Sequence, residues 1–292
     1  MKDRPLFSVI IASYNNGRFL AEAINSVVEQ TYDHWEVIVV DDASTDQSRA
    51  VMDEFQKLKN IRCIHHHKNA GAGAAFRTAA QHASGEIMGM LGADDALASD
   101  ALESMVEAHR THPEVVLINS DLVFCNQELK PTGDPSPYHE MPSGKAFTEG
   151  VTVSSFASYK SEAYRRTSGF SAKLRGAVDH DLYFKLEEMG MRGYVNKPLY
   201  LYRKNPDGIS QGKNGMIASQ YARLAFRNAF LRRLFHRAAA RRPSLQQLLQ
   251  SQYLYHRRYG VKMGTRLKRA CHRLFSAAYG LLIGSDGRNS SG

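Results

Sequence analysis

Short apolar runs alternate with amphipathic stretches through the first third of the chain. FSVIIA at Phe7 to Ala12 is continuous and β-branched, as a parallel strand buried on both faces requires. SYNNGRF breaks it, and a helix is predicted from about Leu20 with Ala23, Ile24, Val27 and Val28 along one side. WEVIVVDD from Trp35 predicts a second strand ending at Asp41-Asp42, and ASTDQS opens a helix through Val51, Met52 and Phe55. Ile61 to Ile64 form a third strand, from which a Gly-bearing loop leads to a helix through Phe76, Ala79 and Ala80. A fourth run, Ile87 to Leu91, stops at Asp94-Asp95 before Ser99-Asp100 begins another helix. This alternation predicts an α/β fold with a mostly parallel sheet covered by helices on both faces. Loop residues then gather at the carboxyl edge of the strands, where open α/β sheets bind ligands.

Beyond that point Val115 to Phe124 reads as further strand. Residues 130–150 are rich in Pro, Gly, Ser and Thr and lack periodicity, which suits a loop acting as an acceptor-side flap. AVDHDLYFKLEEMG predicts a helix with Leu182, Leu186 and Met189 facing inward and Asp179 and Asp181 in its first turn, where acids suit the helix dipole. Two basic amphipathic helices are predicted near the end. The first, over 216–240, sets Leu224, Phe226, Phe230, Leu231, Leu234 and Phe235 near one side and Arg223, Arg227, Arg232, Arg233 and Arg237 elsewhere. The second, over 265–284, repeats the design with Leu267, Cys271, Leu274, Ala278 and Leu282, and Ser285 to Gly292 is expected to be disordered.

Charge sharpens this division. The formal net charge of +9 is −6 over residues 1–212, with 22 Lys+Arg against 28 Asp+Glu, and +15 over 213–292, with 16 Lys+Arg against Asp286 alone. A main domain at 1–212 and a basic helical extension at 213–292 follow, with Pro206-Asp207-Gly208, Gly212 and Gly215 as the local breakers. Basic amphipathic helices can lie on an anionic membrane surface through residues 216–283, or pack on their own domain or a second copy of the chain. A nucleic-acid partner fits poorly, since the tail holds no recognisable module and the main domain is acidic. Three cysteines without a C-x-x-C pair argue against a disulfide framework or structural zinc. FSVIIA is too short for a signal-peptide core, and no run reaches the roughly 18 apolar residues of a membrane span. The expectation is a cytoplasmic protein, soluble or peripheral on the inner face of the membrane.

The chemistry on offer is mostly acidic. Asp94 and Asp95 repel one another, and a divalent cation with a polyphosphate would relieve that repulsion; a solvated turn capping the next helix is the plainer alternative. His65, His66 and His67 alternate faces if they lie on a strand, so they do not converge on one metal, and two exposed imidazoles are expected there. No Ser-His-Asp order, Walker A loop or G-x-G-x-x-G fingerprint occurs. A nucleotidyltransferase would also combine a sheet nucleotide site with metal carboxylates, but it needs a basic triphosphate loop near the first strand, and Arg18 stands alone there.

With these residues laid out, the chain from Leu6 to Gln211 resembles the family 2 glycosyltransferases of the GT-A fold, a Rossmann-like sheet with helices on both faces. SVIIASYNNGRFLAEAINSVVEQTYDHWEVIVVDDASTD is similar to the family's nucleotide-binding opening, NAGAGAAFRTAAQHASGEIMGMLGADDAL to the segment leading into its DxD metal region, VDHDLYFKLEEMG to the segment of its catalytic base, and LYRKNPDGIS to its diphosphate-contacting motif. The resemblance implies an inverting transfer from a nucleotide-diphospho-sugar, with UDP favoured, to a glycan or lipid-linked acceptor. It implies that Ala12, Tyr14 and Asp42 hold the base and ribose, that Asn69 and Gly71 shape the adjoining loop, and that Asp94 and Asp95 bind Mn²⁺ or Mg²⁺ and the donor, with Asp95 as the direct ligand. Asp179 would be the general base, with Asp181 flanking it, and Arg203 would neutralise the leaving diphosphate, with Lys204 near it. The chain departs from the pattern at Gly92, where the leading Asp of the DxD usually stands, and at Val178, where a Glu often precedes the base.

Overall fold

The computed structural model describes residues 4–136 and 156–235. Most of the acceptor-side flap, the second basic helix and the terminal tail expected from sequence lie outside these residues. The four runs that open the chain form β1 (Phe7–Ser13), β2 (Trp35–Asp41), β3 (Ile61–His65) and β4 (Ile87–Gly92), joined by α1 (Gly17–Val28), α2 (Ser48–Phe55) and α3 (Ala72–His82). The later elements are β5 (Ala96–Leu97), α4 (Ala101–Thr111), β6 (Val115–Cys125), β7 (Ala157–Lys160), α5 (Ser161–Arg165), α6 (Val178–Glu187), β8 (Met191–Arg203) and α7 (Gly215–Phe235).

Eight strands make one sheet in the order β3-β2-β1-β4-β7-β6-β8-β5. Its first half is parallel: β1 pairs with β2 and β4, and β2 with β3. Its second half is mixed, because β7 runs antiparallel to both β4 and β6 while β8 lies parallel to β6. Four of the seven pairings are parallel, in line with the mostly parallel sheet expected, and the antiparallel ones gather in the second half. β1 and β2 are buried almost throughout, and their two faces are closed by different helices. Val9, Ile11, Val37 and Val39 meet Leu20, Ile24, Leu102 and Met105 in one core, while α3 covers the opposite side. In α1 the buried stripe is Phe19, Leu20, Ala23, Ile24 and Val27; Val28, expected among them, is exposed.

The helix expected around Asp179 is α6, and it is buried continuously from Asp181 to Leu186. The reason is α7, which lies against it through Ala222, Ala225, Phe226, Ala229 and Arg233 and belongs to the same compact unit as the strands. Phe184 and Phe226 meet edge to face with ring centroids 6.3 Å apart, within the range of about 4.5 to 7 Å usual for such a pair. The face assignment from periodicity fails here in both directions. Leu231 is exposed, and Arg233 is buried because it donates to Glu187 at 2.8 Å and to Glu188 at 3.3 Å. Arg232 donates to Glu188 at 3.0 Å, so two of the five arginines expected away from the apolar side are spent on acids.

Candidate active site

The loops after β1, β2 and β3 meet at the carboxyl edge of the parallel strands. Ala12 pairs in register with Val40 and with Gly92, which sets the end of β1 between Asp42 and the Asp94-Asp95 turn. Tyr14, the next outward-facing residue, is 47% exposed, leaving its ring available for stacking. The β1–α1 loop is pinned to the β2–α2 loop, where Asn15 N–H donates to Ser44 Oγ at 2.8 Å and Gly17 N–H to Asp46 Oδ2 at 2.8 Å. Asp42 is nearly inaccessible. Its Oδ1 accepts from Ala70 N–H at 2.9 Å and bonds His66 Nδ1 at 2.7 Å, and its Oδ2 accepts from Gly71 N–H at 2.6 Å. Asp42 therefore ties down the Asn69–Gly71 loop expected beside the nucleotide, and with three donors on about four lone-pair sites it keeps about one acceptor position.

The acid turn forms because β5 pairs antiparallel with β8, placing Ala96 opposite Leu201 and Leu97 opposite Tyr200. That pairing brings Tyr200 and Arg203 to Asp95, which is 6% exposed. Tyr200 Oη donates to Asp95 Oδ2 at 2.6 Å and Arg203 N–H to Oδ1 at 2.8 Å. Burial, and then the charge of Asp94, push the Asp95 carboxyl up to about 8 despite these donors. Asp94 is more open: half-buried, with Asn205 Nδ2 donating to its Oδ2 at 2.9 Å. A Cβ at Gly92 would stand 2.5 Å from Asp95 Oδ2 and 3.1 Å from Tyr200 Oη, so no side chain fits there while Asp95 holds this position.

Arg203 is fully buried, and all of its guanidinium nitrogens are engaged. Nε donates to Asp94 O at 2.5 Å, one terminal nitrogen to Gln127 O, and the other to Glu22 Oε2 at 2.6 Å, while Phe19 lies 4.3 Å below the cation. These contacts make it the brace that joins α1, the acid turn and the end of β6.

Asp179 and Asp181, two residues apart, have opposite surroundings. Asp181 is 2% exposed and bonded to Lys185 Nζ at 2.6 Å, and Lys185 also donates to Gly169 O at 2.6 Å. Burial lowers the Lys185 ammonium against the pull of Asp181. Asp179 is half-buried, and among the described residues no hydrogen bond or ion pair engages it. It follows Ala177, which takes the left-handed conformation at φ 49° that sets the start of α6.

Sequence reasoning missed three participants. Of the two exposed imidazoles expected among His65, His66 and His67, the structure shows one, His67; β3 ends at His65, and the half-buried His66 imidazole lies between Asp42 and Thr78 Oγ1, 2.9 Å from the latter. Tyr200 and Asn205 went unnamed because nothing local marks them; only the pairing of β5 with β8 brings them to the acids.

A family model, "Glycosyl transferase family 2", matches residues 8–167, more than half of the chain. The chain belongs to this family. A chondroitin synthase of Escherichia coli is 30% identical over 68% of this chain, which spans 29% of that protein's length. The S. aureus TarS structure solved with UDP-GlcNAc shares the fold at a TM-score of 0.71 and 19% identity, covering 86% of this chain and 72% of that one. A Pyrobaculum calidifontis mannosyltransferase, PcManGT, solved with GDP-Man and Mn²⁺, shares it at 0.58 and 18% identity, covering 95% and 81%. The sheet with its flanking helices is of the GT-A type expected for the family.

Mg²⁺-type sites of nucleotide-dependent enzymes take one or two carboxylates and complete their shell with substrate phosphates and water. Among the described residues no group of three His, Cys, Asp or Glu side chains forms a protein cage. Asp94 fits the smaller donor set, being half-buried with one oxygen held by Asn205 and a second buried carboxyl behind it. Asp95, expected as the direct ligand, has both oxygens occupied by Tyr200 and Arg203.

Proposed function

We propose that this chain is a metal-dependent inverting glycosyltransferase that moves a hexosyl or N-acetylhexosaminyl group from a UDP-sugar to a glycan or lipid-linked acceptor in cell-envelope polysaccharide assembly. One observation carries the reading: at both acid pairs a buried, hydrogen-bonded carboxyl group stands beside an open one, leaving Asp94 for the donor and Asp179 for the acceptor. Tyr14 offers a face for the base, and Asp42 one acceptor position for an N–H such as that of uracil, beside Ala12, Asn69 and Gly71. Asp179 takes the acceptor hydroxyl's proton as oxygen bonds to C1 and the bond from C1 to the diphosphate breaks, so attack comes from the opposite face and the configuration inverts. A Mn²⁺ or Mg²⁺ ion held by Asp94 would offset charge on the departing diphosphate. Arg203 serves that diphosphate indirectly, by holding the turn that carries Asp94. The UDP-sugar of TarS and the Mn²⁺ of PcManGT support the choice of donor and ion. For contact with an anionic membrane, α7 offers exposed Arg227, Met216 and Ile217.

The test is calorimetric titration with UDP. Binding should be strong with Mn²⁺, and weak both in chelator and in Asp94→Asn. Undiminished binding in chelator and in the variant would remove the metal assignment.

A further inference from the structure

The segment Ser171–Ala177, which leads directly into α6, is seated on the loop that Asp42 ties down. Glycines mark two of its close approaches to that loop and the start of α3, and one to α7. At Gly71, whose φ is +92°, a Cβ would meet the Arg175 stem at 2.8 Å; at Gly73 it would collide with Ser171 O and come within 2.6 Å of Leu174 O; at Gly176 it would come within 3.3 Å of Tyr221 on α7. Two polar contacts close the seam: Gly73 N–H donates to Leu174 O at 2.9 Å, and the Arg175 guanidinium to Asn69 Oδ1 at 3.1 Å. Arg175 is itself exposed, so the core does not depend on it. Four residues after Arg175 comes Asp179, reached through the left-handed Ala177, a conformation that a non-glycine residue keeps only when its neighbours impose it. Covalent and packing contacts thus run from Asp42 through Gly71 and Arg175 to the first turn of α6.

We propose that Ser171–Ala177 couples the nucleotide loop to the base-bearing helix, with Arg175 as the positioning residue, so that a nucleotide against Asn69 and Gly71 orders the turn that presents Asp179. The inference rests on the donor reading above and adds a reason for the catalytic base to be set only when donor is present. A free acceptor or water then meets a less ordered carboxylate. Coupling of this kind requires that the nucleotide bind the ordered arrangement better than the loose one.

Hydrogen exchange of the full chain, with and without UDP and Mn²⁺, tests it. In the wild type UDP should slow amide exchange at 69–73 and also, by about threefold or more, at 178–182. In Arg175→Ala the slowing at 69–73 should remain while that at 178–182 is lost, and the exchange pattern without nucleotide should match the wild type, which a merely structural role would not give. Equal slowing at 178–182 in both proteins overturns the coupling, as does a wild type in which those amides ignore UDP. If UDP slows nothing at 69–73, the donor reading falls and takes this inference with it.

Discussion

Asp94-Asp95 and Asp179/Asp181 look alike in sequence, each offering two acids within three residues, yet the fold treats them differently. Asp181 is answered by a cation, Lys185 at 2.6 Å, with Arg232 within 3.9 Å, so its burial leaves little charge uncompensated. Asp95 is answered by neutral donors, a tyrosine hydroxyl and a backbone N–H, while the nearest guanidinium is turned toward Glu22 and two carbonyls. The helix start is therefore electrostatically closed, and the acid turn is left short of positive charge. Which acid of a pair stays open is decided by what buries the other, and the kind of partner decides how much charge is left uncompensated.

The widest separation between the two acids of α6 should appear in turnover. Asp179→Asn should keep UDP affinity and lose about 10² to 10⁴ in kcat, the usual value of a general base. Near-normal turnover from a folded variant would end its role as base. Asp181→Asn should instead act on the fold, because it leaves Lys185 buried without its carboxylate; a loss of about 3 to 5 kcal/mol in urea unfolding is expected. A variant at Asp181 that is as stable as the wild type but inactive would exchange the two roles. The remaining difference concerns the acid turn and should be read with metal chelated. The folded Asp95 carboxyl, raised to about 8 from near 3.8, keeps a proton that the unfolded chain gives up between those values. Stability should therefore fall as pH rises from about 4 to about 8, and Asp95→Asn should flatten that slope. Parallel pH profiles for the two proteins would mean that Asp95 is ionised as readily as a surface acid.

The parallel half of the sheet was legible because β1, β2 and β4 are buried on both faces and read as unbroken apolar runs. β8 was not, since Gly193 and Pro198 interrupt it and its pairing with β6 slips at Asp121, opposite Pro198. Resemblance reached Asp42, Asp94, Asp95, Asp179 and Arg203 as residues, but not their surroundings. Arg203 reads as a free cation in LYRKNPDGIS, whereas Glu22, which takes one of its nitrogens, is 181 positions away. Arg233 reads as part of a basic face because the acids that bury it lie 45 and 46 positions earlier. Periodicity reports that a helix has two faces; what lies against each is a long-range fact.

The seating of α7 on α6 also bears on the order in which the protein is made. Chains fold from the amino end as they leave the ribosome, so the parallel strands and the nucleotide loop can assemble early. The carboxyl half of α6, by contrast, cannot be covered until Phe226 and Arg233 have emerged to meet Phe184, Glu187 and Glu188. A nascent chain stopped near Lys213 would hold a formed nucleotide loop beside an uncovered Phe184, so the parallel half and the α6 end of the unit are completed at different times.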